Sequence, residues 1–168
     1  NKAIDLGINF FDTADVYGNK GGSEEYLGDI LGSNRNKVFI ATKFAMPMDN
    51  DGQLSGASGK YITKAVEASL KRLKTDWIDL YQVHRPDPNV EAEETMKALG
   101  DLVSNGKVRY IGCSNYSSDQ LIESQKIIYN NTDSMFISSQ DEYSLLVRDI
   151  ENNLVSVINS YNMGLLPY

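Results

Sequence analysis

Four ionisable side chains stand where short apolar runs of the chain end. Asp12 closes the first run, and Tyr17 follows it five residues later in a polar turn. Lys43 follows the second run, and the only histidine, His84, follows the third. A carboxylate, a phenol, an ammonium and an imidazole can donate and accept protons, which is the basis of general acid–base catalysis. If the three runs are neighbouring parallel strands, these groups converge at one mouth of the sheet.

Apolar runs alternate with helical patterns along the whole chain. Ser23 is expected to cap the second helix and Gly32 to end it, since these residue types favour those positions. A long polar loop from Phe44 to Ser58 carries Met46, Met48 and Leu54 as candidate apolar lining of the mouth. Strands are predicted at residues 8–14, 37–42, 77–83, 108–113, 134–139 and 165–168, and helices at 1–6, 23–31, 60–74, 91–104, 117–129 and 149–161.

This alternation indicates an α/β fold, because strands that are separated by helices pair in parallel through right-handed crossovers. A doubly wound sheet and a barrel both fit the order. A dinucleotide-binding doubly wound sheet would carry G-x-G-x-x-G after its first strand, and this motif is absent from the sequence. We therefore predict one (β/α)8-type barrel domain over residues 1–168, with about six of the eight strand–helix units present.

Composition excludes several classes of function. The net charge of -7 argues against nucleic acid or an anionic membrane surface as the main partner. The single cysteine, Cys113, excludes an internal disulfide framework and fits a reducing compartment, so a cytoplasmic location is expected. The sequence has no apolar run long enough for a membrane span and no cysteine or histidine pairs at metal-binding spacing, so we expect neither a membrane protein nor a metal site.

Five separated segments carry a more specific pattern. They are GINFFDTADVYG at 7–18, FIATK at 39–43, SLKRLKTDWIDLYQVH at 69–84, GKVRYIGCSNY at 106–116 and QDEY at 140–143. Together, and in this order, they resemble the aldo-keto reductases, a family of (β/α)8-barrel oxidoreductases that reduce aldehydes or ketones with NADPH.

The resemblance implies a role for each of the four ionisable residues, which match the family's Asp, Tyr, Lys and His without substitution. Tyr17 would be the general acid that protonates the carbonyl oxygen. Its ordinary pKa of about 10 is high, so a positive Lys43 would lower the pKa by favouring the phenolate. Asp12 would keep Lys43 charged and in place, and His84 would donate to the substrate oxygen or orient it.

The resemblance also implies a cofactor site and a partial barrel. Ser114, Asn115 and Gln140 would hold the carboxamide of the nicotinamide, and Tyr168 would stack on its ring. The first and last strands of the family's barrel have no counterpart here, so we expect truncation at both ends, weak NADPH binding or activity of the 168-residue chain, and self-association through exposed sheet edges.

Each of these residues also has an ordinary structural explanation. Asp12 could cap a turn, a lone tyrosine such as Tyr17 usually packs, Lys43 would most often lie on the surface, and His84 could be a structural histidine. Ser114 and Asn115 could cap the following helix, and Gln140 could pair with neighbouring backbone.

Two other functions stay open. One is a non-catalytic, NADPH-binding regulatory subunit like the channel-associated members of the same family. These carry Asn in place of His84, which favours catalysis for this chain. The other is an unrelated barrel lyase or isomerase that uses Lys43 as a Schiff-base nucleophile, which requires a neutral amine. The substrate can be predicted only as a small carbonyl compound, and the choice between NADP and NAD is not predicted.

Overall fold

The computed structural model describes residues 2–127 and 134–168 and contains a single six-stranded sheet. The strands are β1 (Phe10–Asp12), β2 (Phe39–Phe44), β3 (Ile78–Val83), β4 (Val108–Ser114), β5 (Phe136–Asp141) and β6 (Gly164–Pro167). The α-helices are α1 (Lys2–Asp5), α2 (Tyr17–Leu31), α3 (Gly59–Leu73), α4 (Ala92–Ser104), α5 (Ser118–Lys126) and α6 (Leu154–Ser160), with 3-10 turns at Gly32–Lys37 and Asp149–Asn152.

The strands pair in chain order, β1-β2-β3-β4-β5-β6, and every pair is parallel. The carboxyl ends of all six strands therefore lie along one rim of the sheet, and the amino ends lie along the other. Side chains of β1 and β5 touch across its concave face, so the sheet curls into a half-barrel. A closed barrel of this type has eight strands. The predicted α/β class and the incomplete barrel are confirmed.

The hydrophobic core lies between the convex face of the sheet and the surrounding helices. On α3, Ile62, Val66, Leu70 and Leu73 are all buried, as their helical spacing predicts. Ser58 caps this helix by accepting a hydrogen bond from the backbone N–H of Tyr61. Because the helices bury their apolar faces against the convex side of the sheet, they lie outside it. The concave face is not covered by these helices.

Asp79 anchors the rim at which the strands begin. Its carboxylate accepts hydrogen bonds from Arg35, at 2.7 Å, and from Arg109, at 2.9 Å, and both guanidinium groups lie over the ring of Trp77. The backbone N–H of Ile40 also donates to Asp79. The contacts connect β2, β3 and β4 at the end of the sheet opposite to the four ionisable residues.

The structure differs from the predicted elements in several places, and β1 and β5 keep only part of the predicted ranges 8–14 and 134–139. Ser23 does not cap α2: its Oγ accepts a hydrogen bond from Thr13 Oγ1 instead, because residues 18–21 form a left-handed turn within the range of that helix. Lys43 lies inside β2, one residue before its end. The last predicted helix is divided between a 3-10 turn and α6. Tyr129, the predicted end of α5, lies outside the described residues.

Within residues 2–127 and 134–168, no helix combines the length and the apolar character needed to cross a membrane.

Candidate active site

One cavity of about 500 Å³ opens at the rim where the strands end. Seven of the eight predicted site residues line it, and the eighth, Lys43, is fully buried directly behind Asp12. The edge strands β1 and β6 both contribute to the cavity wall. The lining residues are Phe10, Asp12, Tyr17, Met46, His84, Arg85, Ser114, Asn115, Gln140, Leu166, Pro167 and Tyr168.

Lys43 and Asp12 form an ion pair at the back of the cavity. The Lys43 Nζ donates to Asp12 Oδ2 at 2.7 Å and to the backbone carbonyl of Thr13 at 2.7 Å. The ammonium side chain is 0% exposed, whereas the Asp12 side chain is 33% exposed and reaches the cavity. The explanation of Lys43 as a solvated surface lysine is therefore wrong, because a buried ammonium requires a partner of this kind.

Two glutamine amides share the other oxygen of Asp12. Gln140 Nε2 donates to Asp12 Oδ1 at 3.1 Å, and Gln82 Nε2 does so at 3.4 Å. Gln82 is fully buried on β3, and our sequence analysis did not predict it as a site residue. A polar amide in an apolar strand, two residues before His84, could have indicated that it belongs to the site. These contacts hold the carboxylate of Asp12 in one orientation in front of Lys43.

Tyr17 and His84 stand side by side at the cavity wall. Their ring centroids are 5.7 Å apart in an edge-to-face arrangement, and the Lys43 Nζ lies 5.0 Å from the centroid of the Tyr17 ring. The His84 Nδ1 is buried without a hydrogen-bond partner among the described residues, so Nε2 is the ring nitrogen that faces the cavity. The structure thus brings together the phenol of Tyr17, the ammonium of Lys43 and the imidazole of His84, whose positions near strand ends predicted that they would converge.

The proton affinities of these groups follow mainly from burial. Burial, with the positive charges of Lys43 and Arg85, lowers the pKa of His84 to about 4, so the imidazole is neutral near pH 7. Burial also lowers the pKa of Lys43, while its hydrogen bond to Asp12 opposes that change.

The expectation that Lys43 lowers the pKa of Tyr17 is wrong for this structure. Burial raises the pKa of Tyr17, and the negative charge of Asp12 raises it further. Tyr17 is therefore a firmly protonated phenol in the resting protein.

Ser114, Asn115 and Tyr168 form a polar network at the other side of the cavity. Ser114 Oγ donates to the backbone carbonyl of Gln140 at 2.6 Å, and Asn115 Nδ2 donates to Ser114 Oγ and to the carbonyl of His84. The hydroxyl of Tyr168 donates to Asn115 Oδ1 at 2.7 Å. Asn115 adopts a left-handed conformation, with φ of 60°, which asparagine tolerates better than most residues.

Neither Ser114 nor Asn115 caps the following helix. Ser117 does so instead, through a capping box in which its side chain accepts from the backbone N–H of Gln120 and the Gln120 side chain accepts from the backbone N–H of Ser117. The polar groups of Ser114 and Asn115 are therefore directed to the network beside the cavity.

The loop from Phe44 to Ser58 contributes one of its three candidate residues. Met46 lines the cavity, while Leu54 packs on the core and pairs its carbonyl with the backbone N–H of Met48. Sequence reasoning missed Phe10, Arg85, Leu166 and Pro167 as lining residues. Phe10, Leu166 and Pro167 belong to strands, where apolar residues are ordinarily assigned to the core, and Arg85 lies just after β3.

No group of three or more His, Cys, Asp or Glu side chains within the described ranges is arranged to hold a metal ion.

Comparison with known proteins agrees with this geometry. The model of the aldo/keto reductase family matches residues 1–168. The aldo-keto reductase YhdN of Bacillus subtilis is 38% identical over 168 residues, covering 99% of this chain and 49% of the relative. The aldo-keto reductase AMT2 of Alternaria alternata is 38% identical, with 99% and 52% covered.

The chain spans about half the length of these curated relatives. A match over every residue of the chain, together with the parallel half-barrel and its rim of strand-end residues, establishes the family. The chain belongs to the aldo/keto reductase family.

Proposed function

We propose that the protein reduces an aldehyde or ketone with hydride from NADPH, with Tyr17 as the general acid. The observation that carries this proposal is the placement of Lys43 between Asp12 and the ring of Tyr17, beside His84, at one cavity. Carbonyl reduction needs a hydride at carbon and a proton at oxygen. A proton donor and a fixed positive charge are what the developing alkoxide requires.

The residues present fit a nicotinamide. A carboxamide needs both donors and acceptors, and the amides of Asn115 and Gln140 with the hydroxyl of Ser114 provide both at one wall of the cavity. Tyr168 is 58% exposed there and offers a ring face. We propose that these four residues hold the cofactor, which would supply the hydride when bound. The preference for NADP over NAD is part of the proposal.

The proton that the carbonyl oxygen needs would come from one of the chain's own residues. Tyr17, protonated in the resting protein, would transfer its phenolic proton to the carbonyl oxygen and become a tyrosinate. The buried Lys43 ammonium, held by Asp12, would stabilise that negative charge. His84 is neutral, so its Nε2–H can donate a hydrogen bond to the same oxygen. Solvent entering through the open cavity would then return a proton to Tyr17.

The wall of the cavity suggests an apolar substrate of modest size. Phe10, Met46, Leu166 and Pro167 line the cavity together with the polar site residues. A volume of about 500 Å³ lies in the ordinary range for small-molecule sites, so it would admit a nicotinamide and a small carbonyl compound. A cytoplasmic location stays a prediction from the single free cysteine.

Substitution of Tyr17 by Phe tests the proposal. In a form of the protein that binds NADPH and reduces an aldehyde, the change removes only the hydroxyl, so NADPH binding should persist while turnover of an aldehyde panel falls by about 10²- to 10⁴-fold. Tyr26→Phe is the matched control, because Tyr26 is 74% exposed on α2 and away from the cavity. Equal turnover in the Tyr17→Phe variant and the parent protein would contradict the proposal. NADPH binding without any turnover in the parent protein would favour a regulatory role.

A Schiff-base mechanism is the second candidate, because burial lowers the pKa of Lys43 and so favours the neutral amine. Against it, the ammonium donates two short hydrogen bonds to Asp12 and Thr13. Borohydride reduction in the presence of a carbonyl substrate separates the two mechanisms. We expect no covalent adduct at Lys43, and mass-spectrometric detection of one would favour the lyase or isomerase.

A further inference from the structure

Arg85 is a charged residue of the cavity wall that the proposed chemistry does not use. It follows His84 directly after β3, is exposed, and lines the same cavity as Tyr17. The backbone before it is held on both sides. The His84 N–H donates to the carbonyl of Phe44 at 2.9 Å, and the His84 carbonyl accepts from Asn115 Nδ2 at 3.0 Å. The guanidinium of Arg85 therefore extends from a fixed point of the rim, next to the imidazole.

The Arg85 guanidinium has neither an ion-pair partner nor a hydrogen-bond acceptor within residues 2–127 and 134–168. Asp87, the carboxylate nearest to it in the sequence, accepts instead from the backbone N–H groups of Ala57, at 2.9 Å, and of Asn89, at 3.0 Å. Each of the other arginines of the chain pairs with a carboxylate: Arg35, Arg72, Arg109 and Arg148. Arg85 thus differs from every other arginine in having its charge unmatched within the described ranges.

The unmatched charge makes the cavity positive. The carboxylate of Asp12 reaches the cavity, but the Lys43 ammonium behind it, at 2.7 Å, neutralises its charge. His84 is uncharged near pH 7, because burial and the positive charges of Lys43 and Arg85 lower its pKa to about 4. The positive charge of Arg85 therefore remains, although the chain as a whole carries a net charge of -7. A cleft with a local positive charge attracts anions.

The chemistry of the guanidinium narrows the kind of ligand. Its planar fork of N–H donors matches the paired oxygens of a carboxylate or a phosphate, and it accepts no hydrogen bond. Because Arg85 adjoins His84, which would donate to the carbonyl oxygen, a group bound by Arg85 lies close to the reacting carbonyl. Met46 and Leu166 line the same cavity and can contact the apolar part of such a molecule.

We propose that Arg85 binds an anionic group, a carboxylate or a phosphate, on the carbonyl substrate and so makes the site selective for anionic aldehydes and ketones. The inference rests on the proposed function, because it takes the group beside Tyr17 and His84 to be a carbonyl. Arg85 is a specificity-determining residue and takes no part in the transfer of the proton.

Proton magnetic resonance of the 168-residue chain tests the anion site without cofactor or turnover. The probes are benzoate and benzamide, which are similar in size and differ in charge near pH 7. The imidazole signals of His84 report binding, since the chain has no other histidine. We expect benzoate to shift these signals saturably and to bind about tenfold more tightly than benzamide, which is the gain from one charge-assisted hydrogen bond. Salt at about 0.5 M should weaken the binding of benzoate alone.

Arg85→Gln removes the charge and should abolish the preference for benzoate. Lys64→Gln is the matched control, because it removes one positive charge from an exposed position on α3 that does not line the cavity, and it should keep the preference. Arg85→Lys should restore the preference in part, since it returns the charge without the planar fork. Equal binding or no binding of the two probes by the parent chain, or an unchanged preference in Arg85→Gln, would overturn the proposal.

Turnover gives the second readout, in a form of the protein that binds NADPH. The substrates are para-formylbenzoate and para-formylbenzamide, and the ratio of their kcat/KM values should favour the anion by about tenfold. The ratio should fall to about one in Arg85→Gln and stay unchanged in Lys64→Gln. A loss of NADPH affinity in Arg85→Gln with the ratio unchanged would assign Arg85 to a phosphate of the cofactor and exclude the substrate role.

The proposed function and the role of Arg85 fail separately in these measurements. Selective benzoate binding that depends on Arg85, in a protein that reduces neither aldehyde, would contradict the proposed function and leave the anion site in place. Reduction of both aldehydes with equal kcat/KM would contradict only the role of Arg85.

Discussion

Gln140 donates a hydrogen bond to Asp12 at 3.1 Å, although 128 positions separate the two residues in the chain. They lie at the ends of β5 and β1, which have three strands between them in the sheet. The proposed carboxamide-binding amide thus rests on the carboxylate that holds Lys43. A ligand that draws the Gln140 amide away from Asp12 would remove one of the hydrogen bonds that orient the Asp12 carboxylate towards Lys43.

Replacing Gln140 by Ala should weaken NADPH binding by about fivefold, because a lost hydrogen bond to a ligand is worth about 1 kcal/mol. The ion pair of Asp12 with Lys43 should persist, since Gln82 still donates to Asp12. The affinity is measured by fluorescence titration of a form of the protein that binds NADPH. Asn159→Ala, an exposed amide on α6, is the control. Equal affinity in both variants would exclude Gln140 from the cofactor site.

The single histidine should stay neutral through the physiological pH range. Because burial and two nearby cations lower the pKa of His84 to about 4, its imidazole proton signals should not move between about pH 6 and pH 8. Proton magnetic resonance measures this directly, since no other histidine contributes. A midpoint near 6.5, the value of a free histidine, would show that the imidazole is exposed.

The same shift predicts how stability depends on acidity. Because the folded protein resists protonation of His84, the unfolded chain binds the extra proton between the two pKa values. The free energy of unfolding should therefore fall as the pH decreases from about 6.5 towards 4, by up to about 3 kcal/mol. His84→Gln should flatten this part of the curve in denaturant titrations, while an unchanged slope would assign it to other groups.

Gly28 should tolerate no side chain. A Cβ at Gly28 would lie against the backbone of Arg72 and Leu73, closer than real Cβ atoms come, so Gly28→Ala should destabilise the contact of α2 with α3 by about 1 to 3 kcal/mol. Gly22→Ala is the matched control on the same helix, since nothing lies within 4 Å of its added methyl group. Thermal unfolding of both variants measures the difference, and equal melting temperatures would contradict it.

The 168-residue chain should self-associate at high concentration. Among the described residues, β1 and β6 each pair with one neighbour only, and exposed edges of parallel strands readily pair with other chains. Exposed apolar side chains on strands, Phe10, Phe39 and Ile137 among them, add to this tendency. Sedimentation analysis over a range of concentrations measures it, and a monomer at every concentration would contradict the prediction.

The order of strands and the convergence of strand-end residues were predictable because both follow from local pattern and from parallel pairing. Lys43 and His84 each had to lie at the same rim once β2 and β3 were neighbours. The burial of the four apolar residues on α3 followed from their spacing. These features depend on the chain within a few residues or on one rule of topology.

Other features depend on contacts between distant segments and could not be predicted. The residue type and position of Ser23 predict a helix cap, but the left-handed turn before it places its hydroxyl against that of Thr13. Burial and then the charge of Asp12 raise the pKa of Tyr17, and burial with the charges of Lys43 and Arg85 lowers that of His84. Such surroundings exist only after the sheet has curled and the helices have packed.

Asp79 and Gln82 belong to the same short strand, yet one joins three strands at the rim where they begin and the other touches the carboxylate at the rim where they end. A substitution at the rim where the strands end therefore need not disturb the contacts of Arg35, Arg109 and Trp77 that connect the strands at the opposite rim.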